Sequence, residues 1–112
     1  MTTTHKEVAR TIISQIGNYA LNWVGAYDLL IVDDPETAGG LTFGVGSRPT
    51  KSYMKKIRIT YQRGLDLYTV QGYKFNRLTL EGLEPVVTFD QVYAEQLPEL
   101  VQSVARTLGV RC

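Results

Sequence analysis

Eight basic side chains fall between positions 48 and 77: Arg48, Lys51, Lys55, Lys56, Arg58, Arg63, Lys74 and Arg77, with Asp66 the only acid among them. This segment carries +7, while the remainder, with four basic and ten acidic residues, carries −6. The net charge of +1 therefore conceals a dipolar chain, a layout that calls for a partner or a solubility reason. Lysine and arginine at this density, with Tyr53 among them, can track a phosphate backbone while an aromatic ring stacks on a base. The same cations can instead keep an open sheet face soluble and discourage edge pairing. The pI of about 7.8 speaks against a dedicated DNA-binding domain, whose pI typically exceeds about 9.

Other constellations are poorer in chemistry. Asp33, Asp34 and Glu36 offer carboxylates for a divalent cation or for acid–base work. Their spacing is not that of a calcium loop, and Pro35, Gly39 and Gly40 around them mark a solvated turn. Gly44-Val45-Gly46 lacks the third glycine and the helix N-terminus that hold a pyrophosphate. His5 is the only histidine and has no nucleophile or metal-ligand company at a working spacing. Cys112 is the only cysteine, which excludes an internal disulfide and a cysteine-based zinc site. No catalytic residue, metal or cofactor is expected, and the chain reads as a binding protein rather than an enzyme.

The elements that must position the basic segment follow from periodicity. The chain has 112 residues, 44% hydrophobic and 21% charged, which suits a single globular domain over 1–112. No leader pattern or run of 18 apolar residues occurs, so the expected location is the cytoplasm, without membrane contact. Val8, Ala9, Ile12, Ile13 and Ile16 form one helical stripe. Thr4 and Glu7 supply a capping box and Gly17 a stop, which predicts a helix over 4–16. Residues 18–32, aromatic and aliphatic but broken at Gly25 and Ala26, read as two short strands or as one helical turn and a strand, with strands preferred. There Trp23 and Tyr27 are either buried or an interface anchor.

Leu41, Phe43 and Val45 alternate as a half-buried strand. Ile57, Ile59 and Tyr61 face one way and Lys56, Arg58 and Thr60 the other, the clearest strand in the chain. After a turn at Gln62, Arg63 and Gly64, its hairpin partner spans 67–75. Tyr68 and Val70 are out of phase with Tyr73 and Phe75, and a β-bulge at Gly72 would bring all four to the core. Residues 76–84 read as a loop or a short extra strand, and 86–89 as an extended piece. Leu97, Leu100, Val101, Val104 and Leu108 repeat at helical spacing up to Gly109. Pro98, lacking an N–H, places the start of that helix near Ala94 or Glu95. The order implies an α+β domain: an antiparallel sheet of about four strands with an N-terminal and a C-terminal helix packed on one face. The other face is open to solvent or to a second copy, so a homodimer remains an alternative.

Together the segments TIISQIGNYALNWVGAYDLL, GLTFGVGSRP, KKIRIT, LDLYTVQGYKF and VYAEQLPELV resemble a family of short proteins encoded by bacteriophages, prophages and plasmids. The likeness covers most of the chain. It is carried by the Gly25-Ala26 step, the LTF strand, the K/R-I-x-I-T strand, the Asp66–Tyr68 pair, and Val92, Tyr93, Gln96 and Leu97 at the last helix. The chain departs from the pattern at residues 33–40 and at Cys112. The resemblance implies a mobile element in a bacterial cell and carries over no functional residue. It motivates the expectation of a non-enzymatic accessory protein that binds a host protein complex, in its concrete form an inhibitor of antiviral defence such as CRISPR. The alternative is a nucleic-acid-binding module built on the basic hairpin, its candidate residues Arg48, Lys51, Tyr53, Lys55, Lys56, Arg58, Arg63, Lys74 and Arg77. A metal-dependent enzyme using the acidic loop is the weakest of the three.

Overall fold

A computed structural model describes residues 5–32, 39–46, 53–62, 67–76 and 85–108 of the chain. The first apolar stripe does not stop at Gly17: Ile12, Ile16, Ala20 and Val24 recur every fourth residue and all are buried. One continuous face thus carries α1 over His5–Trp23. Gly17, at φ 83° and ψ 155°, is non-helical and divides α1 into two helical segments that meet at a kink, so the first segment ends at the expected glycine. The second stops at Gly25, φ 63°. Its N–H donates to the Asn22 carbonyl at 3.1 Å and the Ala26 N–H to the Leu21 carbonyl at 3.0 Å, the paired bonds of a Schellman ending. The break at Gly17 stands as expected, and the preferred reading of two strands over 18–32 is corrected to its alternative, a helical segment followed by one strand. Residues 18–23 are helical, and only Tyr27–Val32 forms a strand, β1. Strand propensity in that segment yields to the buried stripe, because propensity is a weak term beside packing. Thr4 of the expected capping box lies outside the described residues.

β2 (Gly40–Gly44), β3 (Tyr53–Gln62), β4 (Leu67–Asn76) and β5 (Val87–Val92) complete a sheet in the order β1-β2-β3-β4-β5. Every neighbouring pair is antiparallel. The fold is α+β as expected, with five strands where about four were counted. A 3-10 turn, Ala94–Gln96, leads into α2, Leu97–Thr107. Pro98 sits in its first turn, where no N–H partner is forfeited, and the Gln96 side chain accepts the Tyr93 N–H at 2.9 Å. Both helices pack on one face of the sheet, in a single core that joins Ile12 and Ile16 to Leu41, Phe43, Ile57, Ile59, Val70, Val101 and Val104. The Arg106 guanidinium lies 5.0 Å from the Trp23 ring centroid, a cation–π contact of about 0.5–1 kcal/mol that ties α2 to the half-buried end of α1.

The β3–β4 register runs unbroken from Tyr53↔Asn76 to Gln62↔Leu67, so the expected bulge at Gly72 is absent. Gly72 lies opposite Ile57 on the core face, and a Cβ there would stand 2.7 Å from Val104 Cγ1. The glycine is a seat for α2. Tyr68 is buried and donates its hydroxyl to Gln15 Oε1 at 2.7 Å; the Tyr61 ring packs 5.4 Å from it. Tyr73 takes the alternate position, opposite Lys56, on the face away from the helices. The expectation that all four aromatics belong to the core is corrected for Tyr73, and the Phe75 side chain lies outside the described residues. Irregular pairing occurs instead between Tyr27 and Leu30 in β1 and between Val70↔Phe89 and Tyr68↔Val92.

If Gly72 is a packing seat, Gly72→Ala should lower stability by about 1–3 kcal/mol, read as a lower urea midpoint at unchanged slope. Combined with Val104→Ala it should cost less than the two changes summed. Full tolerance of Gly72→Ala, or strict additivity, would contradict the seating of α2.

Candidate binding surface on the helix-free sheet face

Alternation along β3 and the registers of its neighbours set the helix-free face out in rows. The first row runs Tyr27, Gly44, Lys56, Tyr73. Gly44 has no side chain to fill its place, and the Tyr27 ring does so: a Cβ on Gly44 would collide with Tyr27 Cζ. The second row runs Leu30, Thr42, Arg58, Gln71, Thr88. The third holds Val32, Gly40, Thr60 and Thr69 and is buried. There Gln62 Nε2 donates to Thr69 Oγ1, which in turn donates to Asp90 Oδ1 at 3.1 Å.

The accessible part of the face is therefore its first two rows. Lys56 and Arg58 stand two residues apart on one strand, about 6.7 Å, with Tyr73 on one side and the Tyr27 ring on the other. All four are half-buried. Arg58 Nε is buried. Neither row contains an acid. Two cations of fixed spacing, Lys56 between the aromatic rings and Arg58 in the next row, suit an extended anion that also presents flat π-surfaces.

The structure divides the sequence candidates. Lys56 and Arg58 share the helix-free face. Lys55 and Lys74 are directly paired across β3 and β4 on the opposite, helix-bearing side, because each is one residue out of phase with them. Tyr53 has the parity of Lys55, so its position is not beside Lys56. Arg48, Lys51, Arg63 and Arg77 lie outside the described residues, as do the acidic positions Asp33, Asp34 and Glu36. Tyr73, which sequence reasoning assigned to the core, and Tyr27, which it left between burial and an interface anchor, are the site residues absent from the sequence candidates. Counting strict alternation through the hairpin from Lys56 finds Tyr73; nothing in the sequence marks the lodging of Tyr27 over Gly44.

A concavity of about 360 Å³ lies between β5 and α2 and is lined by Phe89, Val92 and Leu100 together with Asp90, Gln96 and Glu99. Among the described residues no three of His, Cys, Asp or Glu gather to hold a metal ion, and no helix is long and apolar enough to cross a membrane. Compared with known proteins, the chain matches no family model, no curated protein and no solved structure.

The two tyrosines of β4 should separate cleanly in stability measurements. Tyr68→Ala removes a buried ring and its hydrogen bond to α1, and is expected to cost about 3–5 kcal/mol. Tyr73→Ala on the helix-free face should cost no more than about 1 kcal/mol. Equal costs in urea unfolding would contradict the assigned faces.

Proposed function

We propose that the protein acts by binding rather than catalysis, and that the first two rows of the helix-free face are a seat for single-stranded nucleic acid. The observation that carries this reading is the register that sets Tyr73 opposite Lys56, on the face of Arg58 and across from the Tyr27 ring. Cations alone are explained by solubility; cations interleaved with rings are not. Tyrosine faces stack on any unpaired base, a contact of about 1–3 kcal/mol each, while Lys56 and Arg58 neutralise phosphates. The strands of Tyr27 and Tyr73 are three spacings apart, about 14 Å, a span suited to a short run of nucleotides. Rings that stack on base faces need those faces open, so unpaired strands are preferred.

Fluorescence-anisotropy titration with single- and double-stranded DNA and RNA at about 50 and 200 mM salt tests the reading. Single strands should bind with a log affinity that falls linearly with log salt. Lys56→Ala with Arg58→Ala should flatten that slope by about 1.4, at about 0.7 for each phosphate no longer neutralised, and Lys56→Glu with Arg58→Glu should abolish binding. Tyr73→Ala should weaken binding roughly tenfold and leave the slope unchanged. Salt-insensitive binding, or none at the lower salt, would rule out the nucleic-acid seat.

A protein partner is the second reading, favoured by the concavity between β5 and α2 with the exposed Phe89 at its rim. In the mobile-element setting that the resemblance implies, the partner is a host protein complex, and antiviral defence of the CRISPR kind is its concrete form. Affinity capture from bacterial lysate should then recover one complex in stoichiometric amount, and Phe89→Asp should abolish its recovery. Repeated recovery of no such complex would dismiss this reading.

A further inference from the structure

Stacking on a tyrosine is indifferent to the identity of the base, but the second row adds hydrogen-bonding side chains where the Tyr73 ring ends. The Tyr73 hydroxyl donates to Gln71 Oε1 at 3.4 Å, so the ring leans from the first row toward the second. Gln71 lies directly opposite Arg58 on β3, with Cβ atoms about 4.5–5.5 Å apart as in any such pair, and both side chains are half-buried. A base lying on the ring therefore turns an edge to Gln71 and Arg58. A glutamine at liberty to orient pairs with adenine, donating to N7 and accepting from N6. Here the amide oxygen is turned to Tyr73. The Lys56 ammonium opposite that tyrosine draws the negative end of the amide dipole the same way. Gln71 thus presents its NH2 group, and the Arg58 guanidinium has donors only.

We propose that the seat selects guanine at the position stacked on Tyr73, with Gln71 and Arg58 donating to its N7 and O6 and the Tyr73 hydroxyl positioning the Gln71 amide. This selection rests on the nucleic-acid reading of the face. Guanine sets two acceptors, N7 and O6, side by side on one edge, which matches a pair of donors. Adenine sets its N6 amino group beside N7 and would bring N–H against N–H, leaving a desolvated donor without an acceptor. Thymine and uracil separate their two carbonyl acceptors by the N3–H donor. Cytosine has an adjacent acceptor pair, N3 and O2, but its amino group flanks that pair and its smaller ring covers less of the tyrosine, so it ranks second. Counterion release is the same for every sequence, so the guanine preference should not vary with salt even as the overall affinity falls.

Fluorescence anisotropy with oligothymidine strands of about eight nucleotides, carrying one central guanine, 7-deazaguanine, cytosine or adenine, tests the selection. The guanine strand should bind about tenfold more tightly than the adenine strand, by the same ratio at low and high salt. The 7-deazaguanine strand, in which a C–H replaces the N7 acceptor, should lose most of that gain. Gln71→Leu, of similar size and without donors, should remove the preference and leave the salt slope unchanged. Tyr73→Phe keeps the stacking ring and releases the amide, so it should leave the all-thymine strand bound as before and reduce the guanine preference to about twofold or less. Both side chains lie on the helix-free face, and circular dichroism with thermal melting should show both variants folded. Guanine bound no more tightly than adenine, or a guanine preference that persists in both variants, would overturn the selection while the seat stands. Salt-dependent binding by none of the strands would remove the seat and the selection together, so the two failures are separately visible.

Discussion

The close approach of α2 to β4 at Gly72 is the contact on which the arrangement of both faces depends. With no side chain at that position, Val104 sits directly over the β4 backbone. Val101, Ala105 and Leu108 follow it into the core with Ile57, Ile59 and Val70. On its β5 side the Gly72 carbonyl accepts the Val86 N–H at 2.7 Å, so the position is held by packing above and by hydrogen bonding at its flank. A glycine used as a seat needs no bulge, and β4 stays regular through it. Regularity then fixes parity: every residue after Gly72 keeps its alternation, and Tyr73 emerges on the helix-free face beside Lys56.

A second anchor secures the opposite side of the helical layer. The buried stripe of α1 persists through its kink to Val24, whose carbonyl accepts the Gly46 N–H at 2.8 Å just past β2. Gly25 comes so close to Gly46 that a Cβ would lie 3.0 Å from its carbonyl carbon. The end of α1 is thereby locked to the end of the sheet that carries the first row of the candidate surface. The Tyr68–Gln15 hydrogen bond and the Arg106–Trp23 contact join the same helix to β4 and α2. Rigid elements, rather than loops, therefore hold the spacing of Tyr27, Lys56, Arg58 and Tyr73, and preorganised spacing lowers the ordering cost of binding.

One strand serves as both core and surface. Period-two alternation buries Ile57 and Ile59 and by the same geometry turns Lys56 and Arg58 outward. It also disperses the charge that the sequence concentrates. Lys55 and Lys74, though neighbours of the seat in sequence, meet across the other side of the hairpin, a like-charged cross-strand pair that gains nothing from its partner. The basic segment is thus not one patch, and only the cations of a single parity can act together on a ligand.

Local pattern alone determined a good deal: the α+β class, the β3–β4 hairpin, the inward isoleucines and outward Lys56 and Arg58, and a last helical stretch starting near Ala94, where a 3-10 turn precedes the α-helix that opens at Leu97. These are legible because side-chain period and the missing proline N–H are properties of a few adjacent residues. The continuation of α1 was legible too, in the four-residue recurrence of Ile12, Ile16, Ala20 and Val24, but a glycine with positive φ looks the same at a kink as at a stop. What kind of glycine Gly72 is, which tyrosines reach the helix-free face, and that Tyr27 lies over Gly44 were decided only by tertiary structure. Each depends on what another element places above or beside the residue: Val104 from a helix some thirty positions away, or a ring from the neighbouring strand. Distances of that kind are set by packing the whole core, and no local period encodes them.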